Sequence, residues 1–257
     1  MTSVTAPATD TNVLAERLRS DGLVVFPDRL EDGFLGELRR AFTPLLDRYI
    51  ADAGPNRGVR RHQMYLPFEP PFSDPRLWGN PVVLDVVERV LGPDFECIYY
   101  GSDTPFPGSA HQPVHQDGGP LFPDWGPRPP IYSMTLNIPL VDLDEANGPL
   151  EWFDGAERPA DDATPNRFVG PAGTLLLRDT RTWHRGSPNL SDRPRPMLAL
   201  MYARSWFHFP LARPLIDQTT FERLPDPGGQ LFRGADIDPP IRLAGDHRRL
   251  GPFEDDA

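Results

Sequence analysis

Up to Leu91 the apolar residues recur at helical spacing, whereas beyond Gly92-Pro93 they come in strand-length runs, and this change of period restricts the available folds most. From Glu31 onward Phe34, Leu35, Leu38, Ala41, Phe42, Leu45, Leu46, Tyr49 and Ile50 fall at three- and four-residue steps, which predicts a long amphipathic helix kinked at Pro44. A further helix is delimited at both ends. Asn80 caps it, Pro81 takes its first turn, Val83, Val86, Val87, Val90 and Leu91 supply the buried face, and Gly92-Pro93 stops it. Near the start, Asp10 or Thr11 can cap a short helix carrying Leu14 and Leu18, before a strand at GLVVF (22–26). Then come FECIYYGS (95–102), IYSMTLNIPL (131–140), PLEWF (149–153), GTLLLR (173–178) and PMLALMYA (196–203), separated by Gly, Pro, Asn and Asp. Helices first and strands later disfavours alternating strand–helix units. The order predicts a mainly β protein with flanking helices, an antiparallel double sheet of jelly-roll (double-stranded β-helix) type.

The 257 residues suit a single domain, and 33 prolines imply long connections. Residues 1–10 are small and polar and are expected to be disordered. Residues 205–257 hold many Pro, Gly and Asp and are expected to wrap the core or cover a site mouth. All 26 basic residues are arginine, which removes Schiff-base, phosphate-loop and serine–lysine chemistry. A formal charge of -11 opposes binding to nucleic acid. A lone Cys97 excludes an internal disulfide and fits a reducing compartment. With no signal peptide and no long apolar run visible, a cytoplasmic location away from membranes is expected; nothing sets the oligomeric state.

Six histidines occur, and two lie four apart in GSAHQPVHQDGG (108–119), with Asp117 two places past the second. If extended, His115 and Asp117 point the same way. Two histidines and one carboxylate on one face of iron(II) leave positions for a co-substrate and oxygen. Alone, a His-x-Asp triplet is as readily an ordinary loop pair. The natural third ligand is His184, just past the GTLLLR strand. His62 and His247 adjoin arginines, and His208 lies among aromatics where a packed imidazole is the commoner fate. His111 competes, but Pro107 and Pro113 oppose the helix that a His-x3-His chelate needs, so it reads better as a supporting or substrate group.

With those residues in view, the chain resembles the phytanoyl-CoA dioxygenase family of iron(II)- and 2-oxoglutarate-dependent oxygenases. VHQDGG resembles its His-x-Asp motif, NGPL (147–150) its Asn-Gly-x-Leu turn, and DTRTWHRGSPNLSDRPRP the block with its distal histidine. SDGLVVFPDRLEDGFLGELRR and VVERVLGPDF fit its opening, so the likeness spans about residues 12 to 204. It implies a cupin-like fold, with iron(II) held by His115, Asp117 and His184. Arg195, eleven residues after the distal histidine, would hold the far carboxylate of 2-oxoglutarate, with O2 as the other co-substrate. Arg193 is the alternative anchor. The implied reaction hydroxylates or otherwise oxidises an unactivated C–H bond, releasing succinate and CO2. Desaturation, cyclisation and epimerisation lie open to the same chemistry. The carboxylate at 117 argues against halogenation, which needs a small residue there. One departure bears on substrate: where the family continues into Pro-Gly-Ser-His, this chain reads EWFDGAE (151–157).

Other positions keep two readings. Ser133, Thr135 and Asn137 alternate with apolar neighbours, and their row faces either solvent or a ligand; the resemblance turns it inward, making Thr135 and Asn137 candidate contacts to 2-oxoglutarate or substrate. Trp152 and Tyr100 could floor a substrate cavity or pack in the core. Arg60, Arg61 and His62 could meet an anionic substrate or form a solvated face. The expected substrate is a small organic molecule, and a lysine-free, arginine- and proline-rich chain suggests bacterial specialised metabolism. Two other classes stay open: a cupin-like metalloenzyme without oxygen chemistry, as a hydrolase or isomerase, and a non-catalytic small-molecule-binding jelly roll.

Overall fold

The computed structural model describes residues 10–119, 121–122, 129–208 and 213–238. In chain order the elements are α1 (Thr11–Asp21), β1 (Leu23–Arg29), α2 (Asp32–Asp52), β2 (Arg61–Tyr65), α3 (Pro75–Trp78), α4 (Pro81–Leu91), β3 (Phe95–Pro105), β4 (Ser133–Pro139), β5 (Leu150–Trp152), β6 (Asn166–Phe168), β7 (Thr174–Asp179), β8 (His184–Gly186), β9 (Met197–Arg204), β10 (Leu215–Ile216), α5 (Gln218–Glu222), α6 (Gly228–Leu231) and β11 (Asp236–Ile237). The major sheet is antiparallel in the order β1-β7-β4-β9-β3-β2, and the minor one runs β6-β5-β8. Together they form the jelly roll that the strand pattern predicts.

Local chemistry sets the helix ends. The Asp10 carboxylate accepts from Asn12 N, and Asn80 Oδ1 accepts from Val82 N and Val83 N, each satisfying donors the helix leaves open. Gly22 closes α1 in the left-handed region (φ 75°), donating to Leu18 O. A Cβ at Gly22 would stand 2.3 Å from Thr182 Oγ1, and the Gly22 carbonyl accepts from both Thr182 Oγ1 and Asp179 N. The end of α1 thereby braces the turn that leads into His184. Helix α2 runs through Pro44 as one element.

The helices cover one face of the major sheet. Val83, Val86, Val87 and Leu91 of α4, Leu35 and Leu38 of α2, and Met134, Leu136, Ile138, Leu175 and Leu177 of the sheet belong to one apolar cluster. Burying each such side chain contributes about 1.5–3 kcal/mol. With even-numbered residues of β4 spent on that core, Ser133, Thr135 and Asn137 must point into the space between the sheets. On β3, the register slips between Cys97 and Tyr99, a bulge that puts Ile98 and Tyr99 on the inner face and returns Tyr100 to the helix side.

Strand β2 lies outside the strand-length runs read from the sequence. Arg60 is exposed, but Arg61 and His62 are buried there rather than on a solvated face; Arg61 pairs with Asp103 at 2.6 Å and donates to Ser187 O. Of the C-terminal stretch, Leu231 and Phe232 pack into the core, with Phe232 edge-on to Trp78 and Phe68. Arg213 and Arg233 both pair with Glu96. Residues 1–9 and 239–257, including His247, lie outside the described residues. Cys97 is buried, and burial pushes its thiol up to about 12, the state of an inert core residue. Among the described residues no helix is long and apolar enough to cross a membrane.

Candidate metal centre

The segment before Asp117 adds itself to the free side of β8. His115 N donates to His184 O at 3.0 Å, His184 N donates to His115 O at 2.9 Å, and Gln112 N donates to Gly186 O. Two histidines 69 positions apart in sequence thus become paired neighbours, with ring centroids 4.3 Å apart. The chain then turns through Gly118, whose N–H donates to Thr180 O. A Cβ at Gly118 would meet Thr180 Oγ1 at 2.6 Å and Tyr132 Oη at 2.7 Å. Only glycine lets Asp117 come this close to the β7–β8 turn.

Asp117 Oδ1 lies 3.7 Å from His115 Nε2 and 3.6 Å from His184 Nε2, and one ligand atom from each residue falls within 4.8 Å of the others. His115 Nδ1 sits 2.8 Å from Pro113 O and His184 Nδ1 3.0 Å from Thr182 O. A carbonyl only accepts, so both Nδ1 atoms carry the proton and both Nε2 lone pairs are left for a metal. Arg178 Nη1 is 3.2 Å from His184 Nδ1; with protons on both, this is packing rather than a hydrogen bond. Arg178 Nη2 donates instead to Asp117 Oδ2.

The charge states suit ligation. Burial, then Arg178 and His115, hold His184 well below 6.5, and burial likewise lowers His115, so both rings are neutral. Burial disfavours the Asp117 carboxylate, but the Arg178 guanidinium, which also donates to it, overrides burial and holds the group well below the usual carboxylate range. Two neutral imidazoles and one carboxylate are donors for a divalent first-row metal.

These side chains open on a cavity of about 260 Å³ between the sheets. Thr135, Asn137, Arg178, Met197, Ala199 and Met201 line its floor, Leu150 and Gly186 the minor-sheet side, and Gln63, Tyr99 and Asp103 another wall. Arg195 also lines it, 2% exposed, and its guanidinium makes no hydrogen bond among the described residues; Nε is fully buried without a partner. Burial, then the nearby Arg61, lowers it from 12.5 to about 10, with Asp103 opposing. Two guanidinium groups around one carboxylate leave a net positive pocket end suited to an added carboxylate. Arg193, the alternative anchor, is exposed, its side chain 88% accessible.

A family model described as phytanoyl-CoA dioxygenase matches residues 18–197. The chain belongs to the phytanoyl-CoA dioxygenase family. The match contains His115, Asp117, His184 and Arg195. Among solved structures, EvdMO1 is 18% identical with a TM-score of 0.59 over 76% of this chain, which spans half the length of that protein. AviO1 from Streptomyces viridochromogenes Tue57 is 20% identical with a TM-score of 0.58, covering 79% of this chain and 99% of its own. HygX from Streptomyces hygroscopicus, solved with nickel, 2-oxoglutarate and hygromycin B, is 16% identical with a TM-score of 0.58, over 75% of this chain and 86% of its own. At these identities the likeness is one of fold.

Within this family frame, Thr135 and Asn137 are on the cavity wall, whereas three expected substrate contacts are not. Tyr100 points to the helix side, where its hydroxyl donates to Phe72 O, because the β3 bulge reverses the alternation; Tyr99 lines the cavity in its place. Trp152 shares a face with Leu150 but packs with Phe168, Leu176 and Met197, outside the cavity lining. His111 is 46% exposed and faces Glu151 at 3.7 Å. His208 is exposed beside Arg213 rather than packed. Of the charged residues lining the cavity, Arg57, Asp103 and Arg178 were not singled out by the motifs.

Proposed function

We propose that the chain is an iron(II)- and 2-oxoglutarate-dependent oxygenase that oxidises a C–H bond of a small polar molecule. His115, Asp117 and His184 are its metal ligands and Arg195 grips the far carboxylate of 2-oxoglutarate. The carrying observation is that three donor atoms converge at a cavity that also holds a buried guanidinium lacking a partner. When bound, iron(II) and 2-oxoglutarate supply the oxidising equivalent from O2, with succinate and CO2 released.

The rest of the work falls to the protein. Pro113 O and Thr182 O fix the two imidazole tautomers and ring planes. Thr135 and Asn137, with the inner face of β9, form the wall along the co-substrate. Thr135 Oγ1 is buried without a partner, so a ligand oxygen there satisfies it. Gln63, Tyr99, Gln112 and Gln116 give the remaining lining hydrogen-bonding character, which favours a substrate with several polar groups over a bare hydrocarbon. Specialised metabolism of bacteria supplies such substrates, in keeping with the lysine-free composition. Met197, Met201 and Leu150 keep part of the wall dry, as a reactive oxidant requires.

The test is anaerobic addition of iron(II) and 2-oxoglutarate to the purified protein. The reading expects a weak visible charge-transfer band that His184→Ala and Asp117→Ala each abolish, and O2-dependent succinate on admitting air. A protein that gives neither band nor succinate is not this enzyme.

A further inference from the structure

The Arg178 side chain is 3% exposed and lies on the inner face of β7, one residue before its end, cross-strand from Thr135. It stands behind the ligand set: Nη2 donates to Asp117 Oδ2 and Nη1 packs at 3.2 Å from His184 Nδ1. The two oxygens of Asp117 are therefore divided. Oδ1 faces both Nε2 atoms and Oδ2 is held by the guanidinium. Among the described residues the side chain that holds Oδ2 is Arg178, and the neighbouring Gly118 N–H is committed to Thr180 O.

We propose that Arg178 is a positioning residue of the metal centre, holding Asp117 to a single ligand atom and keeping the bound metal receptive to a dianionic keto acid. The inference rests on the metal reading above and deepens it. A carboxylate free to turn can chelate a divalent ion through both oxygens, as carboxylates commonly do. The second oxygen would then take a position that the bidentate co-substrate needs. Charge acts in the same direction: one carboxylate beside one guanidinium is neutral, so the ion's two positive charges face an incoming dianion undiminished. Arg178 repels the metal itself. Removing it leaves metal affinity intact or higher and weakens the keto acid, a split that loss of folding cannot produce.

Calorimetric titration of the full chain with Ni²⁺ alone, then of the nickel-loaded protein with 2-oxoglutarate, reads this split. In Arg178→Met, Ni²⁺ is expected to bind at one equivalent as tightly as in wild type or more so, while 2-oxoglutarate weakens by about tenfold or more. Arg178→Lys keeps the charge without the planar fork and should recover part of the loss. The proposal is overturned if Arg178→Met loses Ni²⁺ as Asp117→Ala does, or if it binds 2-oxoglutarate like wild type. Should Arg178→Met not fold, Arg178→Lys decides: retained Ni²⁺ with 2-oxoglutarate loosened about threefold or more supports the role, and any other pair of results refutes it. Wild-type protein that takes up no Ni²⁺ would instead remove the metal reading beneath it.

Discussion

Replacing Arg195 by Met should make the ligand-free protein more stable and its 2-oxoglutarate binding much weaker. The guanidinium is 2% exposed, makes no hydrogen bond among the described residues, and has its pKa lowered from 12.5 to about 10, chiefly by burial. That drop corresponds to about 3 kcal/mol against the charged folded state. The sign follows from which form is disfavoured. The cation is the penalised form, so the penalty is fully present below pH of about 10 and vanishes as pH rises past 12.5. At neutral pH its removal, with methionine filling similar space, should therefore stabilise by about 1–3 kcal/mol, as replacing buried charges by apolar groups often does. For a protein of this size that is a rise in Tm of about 2–12 °C. Binding moves the other way. A charge-assisted grip on a carboxylate contributes about 1.5–3 kcal/mol, so the Kd for 2-oxoglutarate should rise about 10- to 150-fold. At a concentration of 100 times the wild-type Kd, 2-oxoglutarate stabilises wild type by about 2.7 kcal/mol and a 50-fold weaker variant by about 0.6. Thermal melts of nickel-loaded protein with and without 2-oxoglutarate measure both effects. A variant that melts below wild type without ligand, or gains as much as wild type with it, refutes the reasoning that Arg195 is an unpaired cation awaiting a carboxylate.

Gly118→Ala places a Cβ within 2.7 Å of Thr180 Oγ1 and Tyr132 Oη, so Asp117 must move outward. Overpacking of this kind costs about 1–3 kcal/mol, and Ni²⁺ titration should show metal affinity falling along with Tm. His111→Ala, by contrast, removes an exposed ring outside the cavity and should leave Ni²⁺ and 2-oxoglutarate affinities within about twofold of wild type. A large loss in either affinity would put His111 back at the site.

Residues with strong local signals were legible before any coordinates. The Asn80 cap, the Pro81 first turn and the Gly92 stop delimit α4 because capping is a matter of neighbouring groups. The strand runs at 95, 131, 173 and 196 reappear as β3, β4, β7 and β9. Missed were the short strands β2, β6, β8, β10 and β11, and the face of Tyr100. Strand alternation predicts a face only while the register is unbroken, and the slip between Cys97 and Tyr99 is a backbone event with no mark in residue type. Arg178 left one faint sign, a charged residue closing a run of three leucines that must be buried on both faces. A cation there needs a partner, and the partner lies 61 positions upstream.

By itself the sequence determined which chemistry was on offer: a His-x-Asp pair, a later histidine, an arginine eleven residues on, no lysine, and a change of period that demands a double sheet. Tertiary structure alone decided how those groups are used. It set His115 beside His184 through reciprocal backbone hydrogen bonds, committed both Nδ1 atoms to carbonyls, and left Arg195 buried without a partner. The physical reason is range. Caps and periodicity arise within a few residues of one another, whereas ligand convergence depends on pairing between distant segments, and a register shift of one residue redirects every side chain along the strand.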